Sequence, residues 1–210
     1  MSLIEEIREG IIQGQANIVV DKVRQALEAG ESAEVILNQG LISGMQRVGE
    51  MFEEGTVFVP EMLIAARAMD KALTLLRPHL VEAGVQPIAK VAIGTVKGDL
   101  HDIGKKLVAM MLEGSGFEIM DLGINVPPEK FVDAVRQGAQ VVALSALLTT
   151  TMPNMKDVVD ALDQAGLRGQ TRVIIGGAPV NQNYADQIGA DGFAPDASSA
   201  VRKVRELIGV

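Results

Sequence analysis

The chain has 210 residues, 48% of them hydrophobic and 3% aromatic, with no tryptophan, no cysteine and a formal net charge of -8. This excludes disulfides, thiolate nucleophiles and cysteine-held zinc, leaves too few rings to stack single-stranded nucleic acid, and gives a surface that repels phosphate backbones. No apolar run approaches the roughly 18 residues of a membrane span, and "MSLIEEIREG" has neither the basic start nor the apolar stretch of a signal peptide, so a soluble cytoplasmic protein that binds neither nucleic acid nor membrane is expected.

From Ser2 to about Gly84 the apolar residues recur at helical spacing. Leu3, Ile4, Ile7 and Ile11 share one face, and Val20, Val23 and Leu27 another, with Gly14, Gly30, Gly40 and Gly55 placed as helix ends or breaks. "PEMLIAARAMDKALTLLRPHL" opens on Pro60, which suits a first helical turn, and sets Met62, Ala65, Met69, Leu73 and Leu76 along one side. The spacing predicts four or five helices in a small antiparallel bundle over residues 1–86.

Around "EAGVQPIAK" the period changes. The short apolar runs "KVAIGTV", "FEIMDLG", "VVALSALL", "RVIIGG" and "ADGFA" alternate with amphipathic stretches, the mark of βαβ units and a parallel sheet. Residues 87–210 are therefore predicted to form an α/β, Rossmann-like domain with a flavodoxin-like sheet of order 2-1-3-4-5. Ligands of such sheets bind beyond the carboxyl ends of the strands, where the order reverses between strands 1 and 3. The first strand leads into "KGDLHDIG", the third into "SALLTTTM" and the fourth into "IIGGAPV", so three unusual stretches are expected to meet in one crevice.

Each stretch also has a plain structural reading. Gly98, Asp99 and Gly104 suit any strand-to-helix turn; Ser145 could bond local backbone; Thr149 to Thr151 could cap a helix beginning near Pro153; and the Gly176-Gly177 pair is a weak sign of close backbone approach. His79 reads as a solvated residue near a helix end. Phosphate chemistry is disfavoured: the spacing from Gly98 to Gly104 is one residue too long for a P-loop, Lys106 stands where a hydroxyl would hold magnesium, and no GxGxxG follows a strand.

Asp99-Leu100-His101-Asp102-Ile103-Gly104 is the D-x-H-x-x-G signature of cobalamin-binding domains, with Ser145-Ala146-Leu147 and Gly176-Gly177 at the S-x-L and G-G positions. With "MQRVGEMFEEGTVFVPEMLIAARAM", similar to the helical cap segment, nearly the whole chain resembles the corrinoid proteins of anaerobic methyltransferase systems and the paired modules of cobalamin-dependent methionine synthase. The resemblance implies a cobamide whose cobalt is bound from below by His101 in place of its own lower base. Asp99 would fix the imidazole tautomer, and Thr151, where methionine synthase has serine, would complete a proton relay His101, Asp99, Thr151, with a stiffer rotamer than serine allows.

Gly98, Asp102, Ile103 and Gly104 would complete the loop. Ser145, Leu147 and Thr149 would adjoin the displaced base, and Gly176, Gly177 and the Gly192 to Ala194 strand end would line the tail pocket. Phe58, Met62, Ala65 and Met69 would cover the upper face as a lid hinged at "EAGVQPIAK", unless they are bundle core. By the same resemblance, cobalt would take a methyl group from a substrate-activating methyltransferase and yield it to a second methyltransferase serving tetrahydrofolate or a thiol coenzyme. A reductive activation protein would restore cobalt(I), and the chain alone would turn nothing over. The alternatives are a cobamide subunit of an adenosylcobalamin-dependent mutase, which lacks the cap segment; a light sensor, which would need a DNA-binding segment; and a cofactor-free interaction domain.

Overall fold

The computed structural model describes residues 2–210. Internal contacts divide the chain into a helical unit, running to Pro87 with the turn Gly114–Gly116 grouped with it, and an α/β unit of Ile88–Glu113 and Phe117–Val210.

The helical unit opens with α1 (Leu3–Ile12), fixed by a reciprocal cap. Ser2 Oγ accepts the Glu5 N–H at 3.2 Å while the Glu5 carboxylate accepts the Ser2 N–H at 2.8 Å. α2 (Ala16–Glu28) follows. α3 (Ala33–Val35) then runs without a break through a π-helical segment, Ile36–Ile42, into α4 (Ser43–Glu53). α5 (Val59–Glu82) carries Pro60 in its first turn, and Met62, Ala65, Met69 and Leu76 are buried along it.

Gly40 departs from the expectation of a helix break, because it lies inside this continuous segment. A Cβ there would stand 2.9 Å from Ile7 Cγ2, and one on Gly44 would stand 2.8 Å from Ile11 Cβ. Glycine at these two positions lets the helix approach α1 closely rather than ending it. Gly14, Gly30 and Gly55, by contrast, have positive φ in the turns after α1, α2 and α4.

The α/β unit alternates β1 (Lys90–Thr95), α6 (Ile103–Glu113), β2 (Glu118–Asp121), α7 (Pro128–Arg136), β3 (Val141–Ser145), α8 (Pro153–Gln164), β4 (Arg172–Gly176), α9 (Gln182–Ile188), β5 (Gly192–Phe193) and α10 (Ala197–Ile208). The sheet is parallel throughout, in the order β2-β1-β3-β4-β5. β1, β3 and β4 are covered on both faces, which explains their nearly continuous Val, Ile, Leu and Ala runs. β2 is an edge strand and only half buried.

The main core joins Val142, Leu144, Val173 and Ile175 of the sheet to Phe131, Met155, Val158 and Leu162 of α7 and α8. Each such side chain contributes roughly 1.5–3 kcal/mol by leaving water. Gly94 makes room for Phe131, whose Cζ would lie 2.8 Å from an added Cβ. The register sets Thr95 beside Ser145 and Ser145 beside Gly176, so the central strands end level and their loops emerge together.

Candidate functional site

The turn after β1 cannot continue the strand, because Gly98 is left-handed at φ 81° and the chain turns back at the carboxyl end of the sheet. Three side chains hold this turn, one of them Asn154 of α8, which donates from Nδ2 to the Lys97 carbonyl at 2.6 Å. Thr95, fully buried, donates through Oγ1 to the His101 carbonyl at 2.8 Å, and Asn125 Oδ1 accepts the Gly98 N–H at 2.7 Å.

Folding back brings Asp99 beneath the loop after β3 with no exposed surface. Oδ1 accepts the His101 backbone N–H at 3.0 Å and faces His101 Nδ1 at 2.8 Å. Oδ2 accepts the Leu147 N–H at 2.8 Å, the Thr151 hydroxyl at 2.7 Å and, more distantly, the Leu148 N–H at 3.4 Å. Burial pushes the carboxyl pKa upward, but the donors from Thr151, His101 and Leu147 outweigh it and hold Asp99 well below the ordinary carboxylate range. Asp99 is therefore an acceptor only, which assigns the proton of a neutral His101 to Nδ1 and leaves the Nε2 lone pair to point elsewhere.

His101 itself is half exposed, at 51% of its side-chain surface. Among the described residues no hydrogen bond engages its Nε2. Around it the rim is apolar and open: Ile103 is 78% and Leu100 66% exposed, with Ile124, Leu147 and Leu148 also exposed. Such a cluster at the carboxyl end of the sheet is a surface made to be covered.

The other expected residues fall as follows. Asp102 is paired with Lys106 at 2.5 Å, one turn along the start of α6. A Cβ on Gly104 would meet no protein atom, so the space beside it is free for something outside the chain. Ser145 ends β3 half buried, and Thr149 is exposed. Thr149 to Thr151 do not cap α8; no side chain does, and Thr151 turns to Asp99 instead.

The glycine pair meets its own chain first. Gly177 has φ 134°, and a Cβ there would stand 1.8 Å from the Ala146 carbonyl oxygen, while one on Gly176 would stand 3.1 Å from the Ala194 oxygen. These glycines are needed for β3, β4 and β5 to end side by side. Phe58 and Met62 lie in the helical unit, Phe58 exposed at the start of α5 and Met62 fully buried.

Sequence reasoning missed Thr95, Asn125, Asn154 and the Lys105–Asp121 pair. Lys105 is buried in α6, and its Nζ reaches Asp121 Oδ1, which also accepts the Gly123 N–H at 2.9 Å. A lysine directly after the motif glycine, on the apolar side of α6, was the available signal. Asn125 and Asn154 carried none, since asparagine is common in turns and helix starts.

No group of three or more His, Asp or Glu among the described residues could chelate a bare ion. One imidazole, backed by a carboxylate and standing in an apolar rim, suits a metal that arrives already held in a macrocycle and lacks an axial ligand. Fold and site together thus define a doubly wound domain that presents a single outward-facing imidazole, backed by a buried carboxylate, within an apolar rim.

Comparison with known proteins agrees. A B12 binding domain profile matches residues 89–205, and a second, likewise described as a B12 binding domain, matches residues 3–77. The dimethylamine corrinoid protein 2 of Methanosarcina mazei is 40% identical over 208 residues, 98% of this chain and 97% of that protein. A cobalamin-binding protein from Desulfitobacterium hafniense superposes with TM-score 0.81 at 33% identity over 97% of each chain. A chain of the methanol:cobalamin methyltransferase complex from Methanosarcina barkeri superposes with TM-score 0.87 at 30% identity, over 99% of this chain and 80% of that one. The chain belongs to the B12 binding domain family, and it binds a cobamide with its cobalt.

Proposed function

We propose that the protein is a methyl carrier, a corrinoid subunit that receives a methyl group from a substrate-activating methyltransferase and delivers it to a second methyltransferase. A reductive activation protein is its third partner. The observation that carries this reading is His101, presented outward with its Nε2 lone pair and held by buried Asp99. The related proteins add weight, one being named for dimethylamine and the other belonging to a methanol:cobalamin methyltransferase complex. The methyl donor is accordingly a small methylated amine or alcohol, activated on the partner; the acceptor is tetrahydrofolate or a thiol coenzyme, also supplied by a partner.

When bound, the cobamide supplies a cobalt centre that accepts and releases methyl groups. The chain's own residues do the rest. His101 Nε2 would be the protein nitrogen that holds the cobalt. Asp99 holds the Nδ1 proton and stabilises imidazolium whenever Nε2 takes up a proton instead of cobalt. Thr151 keeps Asp99 ionised through its 2.7 Å hydrogen bond. Leu100, Ile103, Leu147 and Leu148 would shield the bound group from water, and the space beside Gly104 is free of protein atoms. The adenosylcobalamin mutase alternative is less well supported, since the second profile match covers the helical segment that such subunits lack.

The deciding experiment is the visible spectrum of protein reconstituted with a cobamide, for wild type and His101→Ala, before and after addition of a reductant and then a methyl donor. A cofactor whose own base is displaced, whose axial ligation vanishes in the variant and which becomes methylated after reduction is the expected result. Ligation indifferent to His101 would overturn the reading.

A further inference from the structure

The Lys97–Gly98 peptide group is held at both of its polar atoms by asparagine side chains from two different elements. Asn154, the second residue of α8, donates from Nδ2 to the Lys97 carbonyl at 2.6 Å. Asn125, in the loop between β2 and α7, accepts the Gly98 N–H on Oδ1 at 2.7 Å. Asn125 also donates its own backbone N–H to the Asp99 carbonyl at 3.0 Å, and it does so from a left-handed conformation, φ 52°, the one positive φ among the described non-glycine residues.

A peptide next to a left-handed glycine is free to rotate, because glycine tolerates either orientation of the plane. Rotation here would swing Asp99 away from Leu147 and Thr151 and carry His101 with it. With the carbonyl tied to α8 and the N–H tied to the loop after β2, rotation has to break two hydrogen bonds at once.

We propose that Asn125 and Asn154 form a clamp on the Lys97–Gly98 peptide and are positioning residues for the axial imidazole of His101. They touch neither the imidazole nor Asp99's carboxylate; they fix the plane from which both are hung. The proposal rests on the cobamide reading for its consequence, but not for its geometry.

The two asparagines use opposite ends of their amides, so the same substitution must have opposite effects. Asn125→Asp keeps an acceptor for the Gly98 N–H. Asn154→Asp sets a carboxylate against the Lys97 carbonyl and loses the donor, although aspartate in the first turn of a helix is otherwise favourable.

The test uses the full-length protein in two states. Without cofactor, exchange of the Gly98 amide hydrogen is followed by NMR. With hydroxocobalamin bound to 15N-labelled protein and reduced to cobalt(II), the fraction of cobalt carrying a protein nitrogen is read from the two-line 15N splitting of its EPR signal, distinct from the three-line splitting of the cofactor's own 14N base. Asn154→Asp and Asn125→Gly, the latter removing the acceptor at a positive φ that glycine tolerates, are expected to speed Gly98 exchange about tenfold and to lower the nitrogen-ligated to unligated ratio by a similar factor, as loss of one hydrogen bond predicts. Asn125→Asp is expected to stay within about threefold of wild type in both readouts.

Asn125→Asp behaving like Asn125→Gly, or Asn154→Asp behaving like wild type, overturns the clamp. Asn125→Ser and Asn154→Gln, which keep the acceptor and the donor respectively, decide the matter if a first variant does not fold. Absence of nitrogen ligation in wild type itself would count against the cobamide reading, while amide exchange would still decide the clamp.

Discussion

Asp99→Asn replaces an acceptor-only carboxylate by a group that accepts on one side and donates on the other. If the amide nitrogen faces Leu147, that N–H loses its 2.8 Å partner inside the protein, at a cost of about 1–3 kcal/mol. If it faces His101, the His101 backbone N–H is stranded instead, and the ring must move its proton to Nε2, which removes the lone pair offered to cobalt. The surviving bonds become neutral rather than charge-assisted, at about 1 kcal/mol each. The variant is therefore expected to lose about 4 kcal/mol at pH 7, in keeping with removal of one partner from a buried ionic network.

The pH dependence has a definite sign. Because the folded-state carboxyl lies below its unfolded value, near 3.9, its contribution is complete above about pH 5 and declines as pH falls through the ordinary range towards the folded value. The gap between wild type and variant should narrow by about 1 kcal/mol at pH 3. Urea unfolding of the cofactor-free protein at both pH values, with Leu147 amide exchange as a local probe, measures this. A gap under about 1 kcal/mol at pH 7, or one indifferent to pH, would refute the account of Asp99.

Thr151→Val removes the hydroxyl but keeps the shape, and should cost about 1.5–3 kcal/mol in thermal unfolding, while Thr151→Ser should lie within about 1 kcal/mol of wild type. Gly177→Ala places a methyl on the Ala146 carbonyl at a left-handed φ, so a protein that melts at the wild-type temperature would contradict the close approach of β3 and β4. Gly40→Ala should cost about 1–3 kcal/mol by pushing the π-helical segment off Ile7 of α1, read from urea midpoints. Lys105→Met keeps the buried stem of the side chain and leaves Asp121 free to hydrate; stability should change by under about 1.5 kcal/mol, and the Gly123 amide should stay protected by Asp121.

Much of the fold could be read from period alone. The change near residue 85 from recurrence every three or four residues to short apolar runs separates helices from strands, and the runs over β1, β3 and β4 are apolar because helices cover both sides of the sheet. Gly40 misleads because a glycine that ends a helix and one that admits a neighbour look alike in sequence; only the position of Ile7 distinguishes them. At the site, Asp99 and His101 are two residues apart and can be paired by inspection. The partners 27 and 57 residues away from Gly98 and Lys97, Asn125 and Asn154, belong to tertiary structure. Neither residue type is unusual in a turn or a first helical turn, so nothing in their local surroundings reveals what they hold.

The buried carboxylate also bears on the order in which the protein can become competent. Asp99 draws its donors partly from its own turn and partly from Leu147 and Thr151, the latter 52 residues further on. Such a long-range contact forms only after a large loop has closed, and it is late and slow compared with helix formation. A nascent chain that has completed β1, α6 and β2 already carries Asp99 and His101, but the carboxylate lacks the Leu147 and Thr151 donors that fix its plane until β3 docks. The His101–Asp99 pair is thus fixed in its final geometry only once the central strands have paired.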